Sequence, residues 1–199
     1  MPTPPSPLRP KTWDGGFSTK AKNIAIGIDQ SYSGFGMTLL DTDTGNWHTE
    51  VFKAPGSDVD RLYWISEYLK SKFKDVASYA DSVDVGIEGY AYGSVMANMA
   101  GELGAVVKLA CYESFDSFHG KYPYIIPPTV LKKYITGKGT GVQKNQILLN
   151  VYKKWGVEFT DDNAADSYGI AHLVGGRRSL AYEIEVFEKI QDPKYRERP

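Results

Sequence analysis

Apolar residues recur at period two early in the chain and at helical spacing after it. Ile24, Ile26 and Ile28 alternate with Ala25 and Gly27, and the run stops at Asp29. After a short polar break, Gly34 to Leu40 resumes an apolar run. Two strands joined by a tight turn are the simplest reading. DTDTGN (41–46) is a turn cluster and Trp47 to Lys53 a third strand, which completes an antiparallel meander. Asp58 or Asp60 can cap a helix running to about Tyr79, because Leu62, Ile65, Leu69, Phe73 and Val76 form one stripe. Val83 to Glu88 is a short apolar strand, expected to join the sheet in parallel because a helix precedes it.

From Gly93 to about Phe118, small and apolar residues dominate, which predicts a buried helix. Gly101 and Gly104 within it suggest close packing against another backbone. Tyr122 to Ile126 is a fifth strand, stopped by Pro127 and Pro128, which can start a short helix to Ile135. A glycine-rich basic loop (135–141) leads to an amphipathic helix, Val142 to Trp155. The next helix opens at 160–162 and ends at Gly175 and Gly176. These elements predict one α/β domain over 23–176, after a loosely docked or disordered arm (1–22) with five prolines. A charged tail (177–199), helical to Ile190, follows it.

Composition and charge add three points to this picture. There is no apolar run long enough to cross a membrane and no signal-peptide region. The one cysteine, Cys111, excludes an internal disulfide and a cysteine-rich zinc site; a reducing, cytoplasmic compartment fits, and the residue reads as core. Net charge is only −1, but it is segregated. Lys121 to Val157 carries seven lysines and no Asp or Glu, leaving a net of −8 on the rest. That is the pattern of a basic binding face beside an acidic site.

Three acidic features are strongly placed. Asp29 ends the first strand, Glu88 ends the fourth, and TDDNAAD (160–166) opens a helix with Asp161, Asp162 and Asp166. Asp162 and Asp166, four apart, share a helix face. Carboxylates gathered from such positions repel unless a cation joins them. All-oxygen ligands favour Mg²⁺ or Mn²⁺, and carboxylate clusters holding two such ions carry out phosphodiester cleavage. Each residue also has a plainer role open to it: a turn cap for Asp29, a lysine partner for Glu88, an N-cap for Asp161. His172 lies on another helix face from Asp166 and reads as structural.

Four stretches together resemble the RuvC family of Holliday-junction resolvases, within the RNase H-like superfamily, and more closely its divergent phage-encoded members. They are IGIDQSYSGFG (26–36), VGIEGYAYG (85–93), PPTVLKKYITGKGTGVQK (127–144) and DDNAADSYGIAHL (161–173). The resemblance runs from about Asn23 to Val174. It implies an RNase H-like α/β fold, with a mixed five-stranded sheet flanked by helices. It implies a structure-selective endonuclease that nicks four-way junctions or other branched DNA as a homodimer, with the helix from Gly93 to Phe118 as candidate dimer contact. It implies two Mg²⁺ or Mn²⁺ held by Asp29, Glu88, Asp162 and Asp166, with Lys132 or Lys144 steadying the scissile phosphate. Lys132, Lys133, Lys138 and Lys144 would hold the backbone, and Tyr90 or Tyr92 would stack on an unpaired base. The family's DAAD reads NAAD here, with Asn163 at its first acidic position. Asp162, one residue earlier, is the expected substitute, and Asn163 the alternative. Two other readings stand beside this one. The first is a DNA-binding module on a decayed nuclease fold, which Asn163 keeps open. The second is a lobe of an actin- or Hsp70-like ATPase, since 26–36 also resembles that superfamily's first phosphate loop.

Overall fold

The computed structural model describes residues 23–89, 97–176 and 178–196. The expected arm (1–22), Tyr90 and Tyr92 lie outside the described residues. Strands β1 (Asn23–Asp29), β2 (Phe35–Asp41) and β3 (Trp47–Phe52) form the antiparallel meander. Helix α1 (Asp58–Ala77) crosses to β4 (Ser82–Glu88), which pairs with β1 in parallel, as the intervening helix requires. Helix α2 (Ala97–Ser114) and a single 3₁₀ turn, His119–Lys121, lead to β5 (Tyr124–Ile126), parallel to β4. The five-stranded sheet has the order β3-β2-β1-β4-β5. Helices α3 (Pro128–Thr136), α4 (Lys144–Trp155), α5 (Asp162–Gly175) and α6 (Ala181–Ile190) complete the chain. The fifth strand is shorter than the expected 122–126, because residues 119–121 coil into the 3₁₀ turn and Tyr122 caps it.

The alternation along β1 sorts the two faces of the sheet. Ile24, Ile26 and Ile28 join Val83, Val85 and Ile87 under α1 and α2, where Leu69, Phe73, Leu103 and Val107 close the first core. Ala25 points the other way, into a second core with Leu131, Tyr134, Val151, Ile170 and Ala171 from the C-terminal helices. Small residues sit on this second face because α5 lies almost on the sheet backbone. A Cβ on Gly27 would stand 2.0 Å from the carbonyl oxygen of Ser167, and one on Gly86 2.7 Å from Ile170. Thr38 of β2 ties the same helix down through the Ser167 hydroxyl at 2.9 Å. Since the obstacle at Gly27 is helix backbone, Gly27→Ala is expected to cost about 3 kcal/mol or more by overpacking. Chemical denaturation would measure it; a loss below about 1 kcal/mol would mean that α5 can shift freely.

Helix α2 differs from the expected buried helix. Leu103, Val107, Ala110 and Cys111 are buried against the first core, but Leu109 is 60% and Tyr112 52% exposed. Its outward side mixes Leu109 and Tyr112 with the exposed Glu102 and Glu113, and the small and apolar residues that dominate the segment masked that side. Among the described residues of this chain, no atom lies within 4 Å of where a Cβ on Gly101 would be.

His172 and Cys111 fit their structural readings. Cys111 is fully buried in the first core. His172 packs, with tilted rings, between Tyr168 at 4.5 Å and Trp155 at 4.8 Å, with Nε2 buried and unpaired. Burial first, then the Lys154 charge, lowers its pKa to about 4. A histidine depressed in the folded state binds its proton more readily when unfolded, so stability is lost as pH falls from about 6.5 towards 4. This group alone is expected to remove up to about 3 kcal/mol across that window. His172→Phe should flatten that part of the melting-temperature profile; an unchanged acid slope would assign the loss elsewhere.

Candidate metal centre

Strand register and pleat place the first two carboxylates. Ile28 of β1 pairs with Ile87 of β4, so Asp29 and Glu88 follow at the same height on adjacent parallel strands. Both continue the alternate set that faces α5, after Ala25 and Gly27 on one strand and Asp84 and Gly86 on the other. The close seating of α5 brings its first turns to the same point. One oxygen each from Asp29, Glu88 and Asp166 lies within 4.8 Å of the others. The cleft above them, about 380 Å³, is also lined by Gln30, Lys132, Lys144, Asp162 and Asn163.

The electrostatics are those of a site with too much negative charge. Burial, then the charges of Glu88 and Asp166, pushes Asp29 well above the usual carboxylate range. Burial raises Glu88 as well, against the opposing hydrogen bond with Asp29 and the charges of Lys132 and Lys144. Asp166 rises to about 7, chiefly through burial and then through Glu88 and Asp162. A divalent cation among the three would replace this repulsion with attraction, and a cluster of carboxylate oxygens is the donor set that hard cations prefer. Gln30 adds a second sign. Its amide donates to the Glu88 carbonyl at 2.5 Å, while its Oε1 is buried without a partner. A buried acceptor left unpaired beside three carboxylates is where a cation or its bound water would be satisfied. Asp29, Glu88 and Asp166 therefore could hold a metal.

The helix start settles which aspartate is the cap. Asp161 accepts from the amides of Asn163 at 2.9 Å and Ala164 at 3.3 Å. Asp162 is the first helical residue, one turn before Asp166, with its carboxylate paired to Lys144. Asn163 turns its amide towards Gly34, where an added Cβ would come within 2.8 Å of Nδ2. Among the lysines, Lys132 and Lys144 line the cleft. Lys133 instead pairs with Glu185 of α6 at 2.5 Å. Lys138 is exposed in the loop after α3, whose end is closed by Gly137 at φ 79°. Gln30 was not expected as a site residue; its place directly after Asp29 was the signal available.

No family model matches the chain, and no curated protein matches it in sequence. Solved structures do match. A structure of Thermus thermophilus RuvC aligns with TM-score 0.58 and 18% identity, over 84% of this chain and 96% of that one. T. thermophilus RuvC in complex with Holliday junction substrate aligns with TM-score 0.56 and 20% identity, over 74% and 90%. The fold is thus RuvC-like, an RNase H-like α/β sheet flanked by helices, as the resemblance implied. Among the described residues no helix is long and apolar enough to cross a membrane.

Proposed function

We propose that this protein is a metal-dependent endonuclease that resolves Holliday junctions or related branched DNA by paired nicks. The observation that carries the reading is the meeting of Asp29, Glu88 and Asp166 at the ends of β1, β4 and the first turns of α5. The RuvC-like fold, and the junction substrate bound by one of its structural neighbours, support it. Asp29, Glu88 and Asp166 hold Mg²⁺ or Mn²⁺, two ions per site, with Asp162 as the fourth carboxylate. When bound, the ions supply an activated water and neutralise charge on the departing 3′ oxygen. Lys132 and Lys144 border that site and hold the scissile phosphate. Lys138 tracks the adjoining backbone, and Lys133 does so when released from Glu185. Tyr90 or Tyr92, after Glu88 in sequence, stacks on an unpaired base. A four-way junction needs two symmetric nicks, so two copies act together. Leu109 and Tyr112 on the outward face of α2 are the surface where the copies meet.

The test is to map nicks on a four-way junction labelled on each strand in turn. Symmetric nicks in two opposed strands, with linear duplex left whole, are expected. Junction binding without nicking in either Mg²⁺ or Mn²⁺ would favour the non-catalytic module. The basic face adds a second expectation. Replacing Lys132, Lys133 and Lys138 with Ala should weaken binding to all DNA alike and lower the salt slope by about 0.9 for each phosphate no longer neutralised. An unaltered slope would show that these lysines serve only the protein.

A further inference from the structure

Lys144 is placed oddly for a residue whose only role is to meet DNA. It is the first residue of α4, where the helix dipole disfavours a cation. The cap there is built by Gln143 and Gln146, so Lys144 has no part in it. Its ammonium pairs with Asp162, although 83% of the Lys144 side chain is exposed, against 31% for Asp162. Asp162 acts on all three clustered carboxylates, yet it is not in the group whose oxygens converge.

We propose that Lys144 is a built-in competitor of the metal: it holds Asp162 in the metal-free protein and gives it up when the cation arrives. The inference rests on the metal-site reading above and goes beyond it, because it assigns Lys144 two successive partners. In the metal-free state the ammonium supplies the positive charge that Asp162 needs. Once a divalent cation takes the Asp162 carboxylate, the lysine stands at the cleft rim with no partner and a long, exposed stem. A phosphate diester is the anion that then fits it, so metal loading and DNA capture are coupled through one side chain. An exposed pair of this kind is weak enough to open. The competition therefore tunes metal affinity without blocking it.

The experiment is Mn²⁺ titration by calorimetry on the full chain without DNA. Lys144→Ala is expected to bind Mn²⁺ about fivefold more tightly than the wild type, the factor that an exposed pair can supply. Lys132→Ala is the control. Lys132 precedes Lys144 among the charges acting on Glu88 and Asp166, so a general field effect would make its removal at least as strong. The proposal requires a clearly larger gain for Lys144→Ala, and no gain when that change is added to Asp162→Asn. Acetylation of individual lysines, read by mass spectrometry, gives a second measure independent of the Asp162 variant's affinity. Lys144 should be modified faster on adding Mg²⁺, and Lys132 should not. Equal gains for the two lysines, or a Lys144 acetylation rate indifferent to Mg²⁺, would overturn the competitor role. Absence of any saturable Mn²⁺ binding that Asp29→Asn removes would instead overturn the metal-site reading beneath it.

Discussion

Asp166→Asn is expected to make the metal-free protein more stable at pH 8 while abolishing metal-dependent cleavage. Asp166 carries a carboxyl raised from 3.8 to about 7 by burial and by its acidic neighbours. A carboxylate raised in the folded state contributes its stability below the unfolded value and loses it as pH rises through the folded one. At pH 8 that contribution is gone, and the charge is held in a desolvated site beside Glu88 and Asp162 at a cost of about 1.4 kcal/mol per pH unit of displacement. The amide removes the charge and keeps the shape. A relief of only one or two such units raises the melting temperature by roughly 3–10 °C for a chain of this size. The gain should shrink as pH falls towards 4, where the wild-type carboxyl is itself protonated. Mg²⁺ should then raise the wild type and leave the variant nearly unmoved, because ligand binding stabilises only the state that binds. A variant less stable than wild type in EDTA at pH 8 would contradict this account of the cluster.

The second large effect separates Asp162 from Asn163. Asp161 already caps α5, so Asp162→Asn sacrifices no cap. It does lose the exposed pair with Lys144, worth at most about 1 kcal/mol. The melting temperature should therefore stay near normal. Cleavage should fall by roughly two orders of magnitude or more, as when a group that stabilises the transition state is removed. Asn163→Ala should cut nearly as well as wild type, because that amide faces Gly34. Near-normal nicking by Asp162→Asn, with Asn163→Ala inactive, would make Asn163 the fourth ligand.

What was legible in the sequence follows from where each signal is local. The meander, the parallel fourth strand and the helices could be read because period two, period 3.6 and the caps are short-range patterns. Asp29 and Glu88 could each be read as ending an apolar strand, and β4 as parallel. That β4 lies beside β1, and so brings the two carboxylates together, is set by the sheet order, which a crossover helix does not fix. The outward face of α2 was missed although Glu102 and Glu113 mark it, because small and apolar residues dominate the stretch around them. The partners of the lysines could not be read either. Lys133 meets Glu185, and Lys154 meets Glu183, 2% exposed, at 2.6 Å. Both glutamates lie far along the chain on α6, so a segment free of acid in sequence is not free of it in space. The place of Gln30 depends on a carbonyl of β4 and is likewise a tertiary fact.

The central claim is that the carboxylates at the ends of β1 and β4 and the start of α5 cut DNA with metal. Single-turnover nicking of a labelled four-way junction, in Mg²⁺ and in EDTA, by wild type and Asp29→Asn, tests it most directly. The account predicts nicking by wild type in Mg²⁺ alone, and binding without nicking by Asp29→Asn. Nicking that persists in EDTA, or that Asp29→Asn performs as well as wild type, would contradict it.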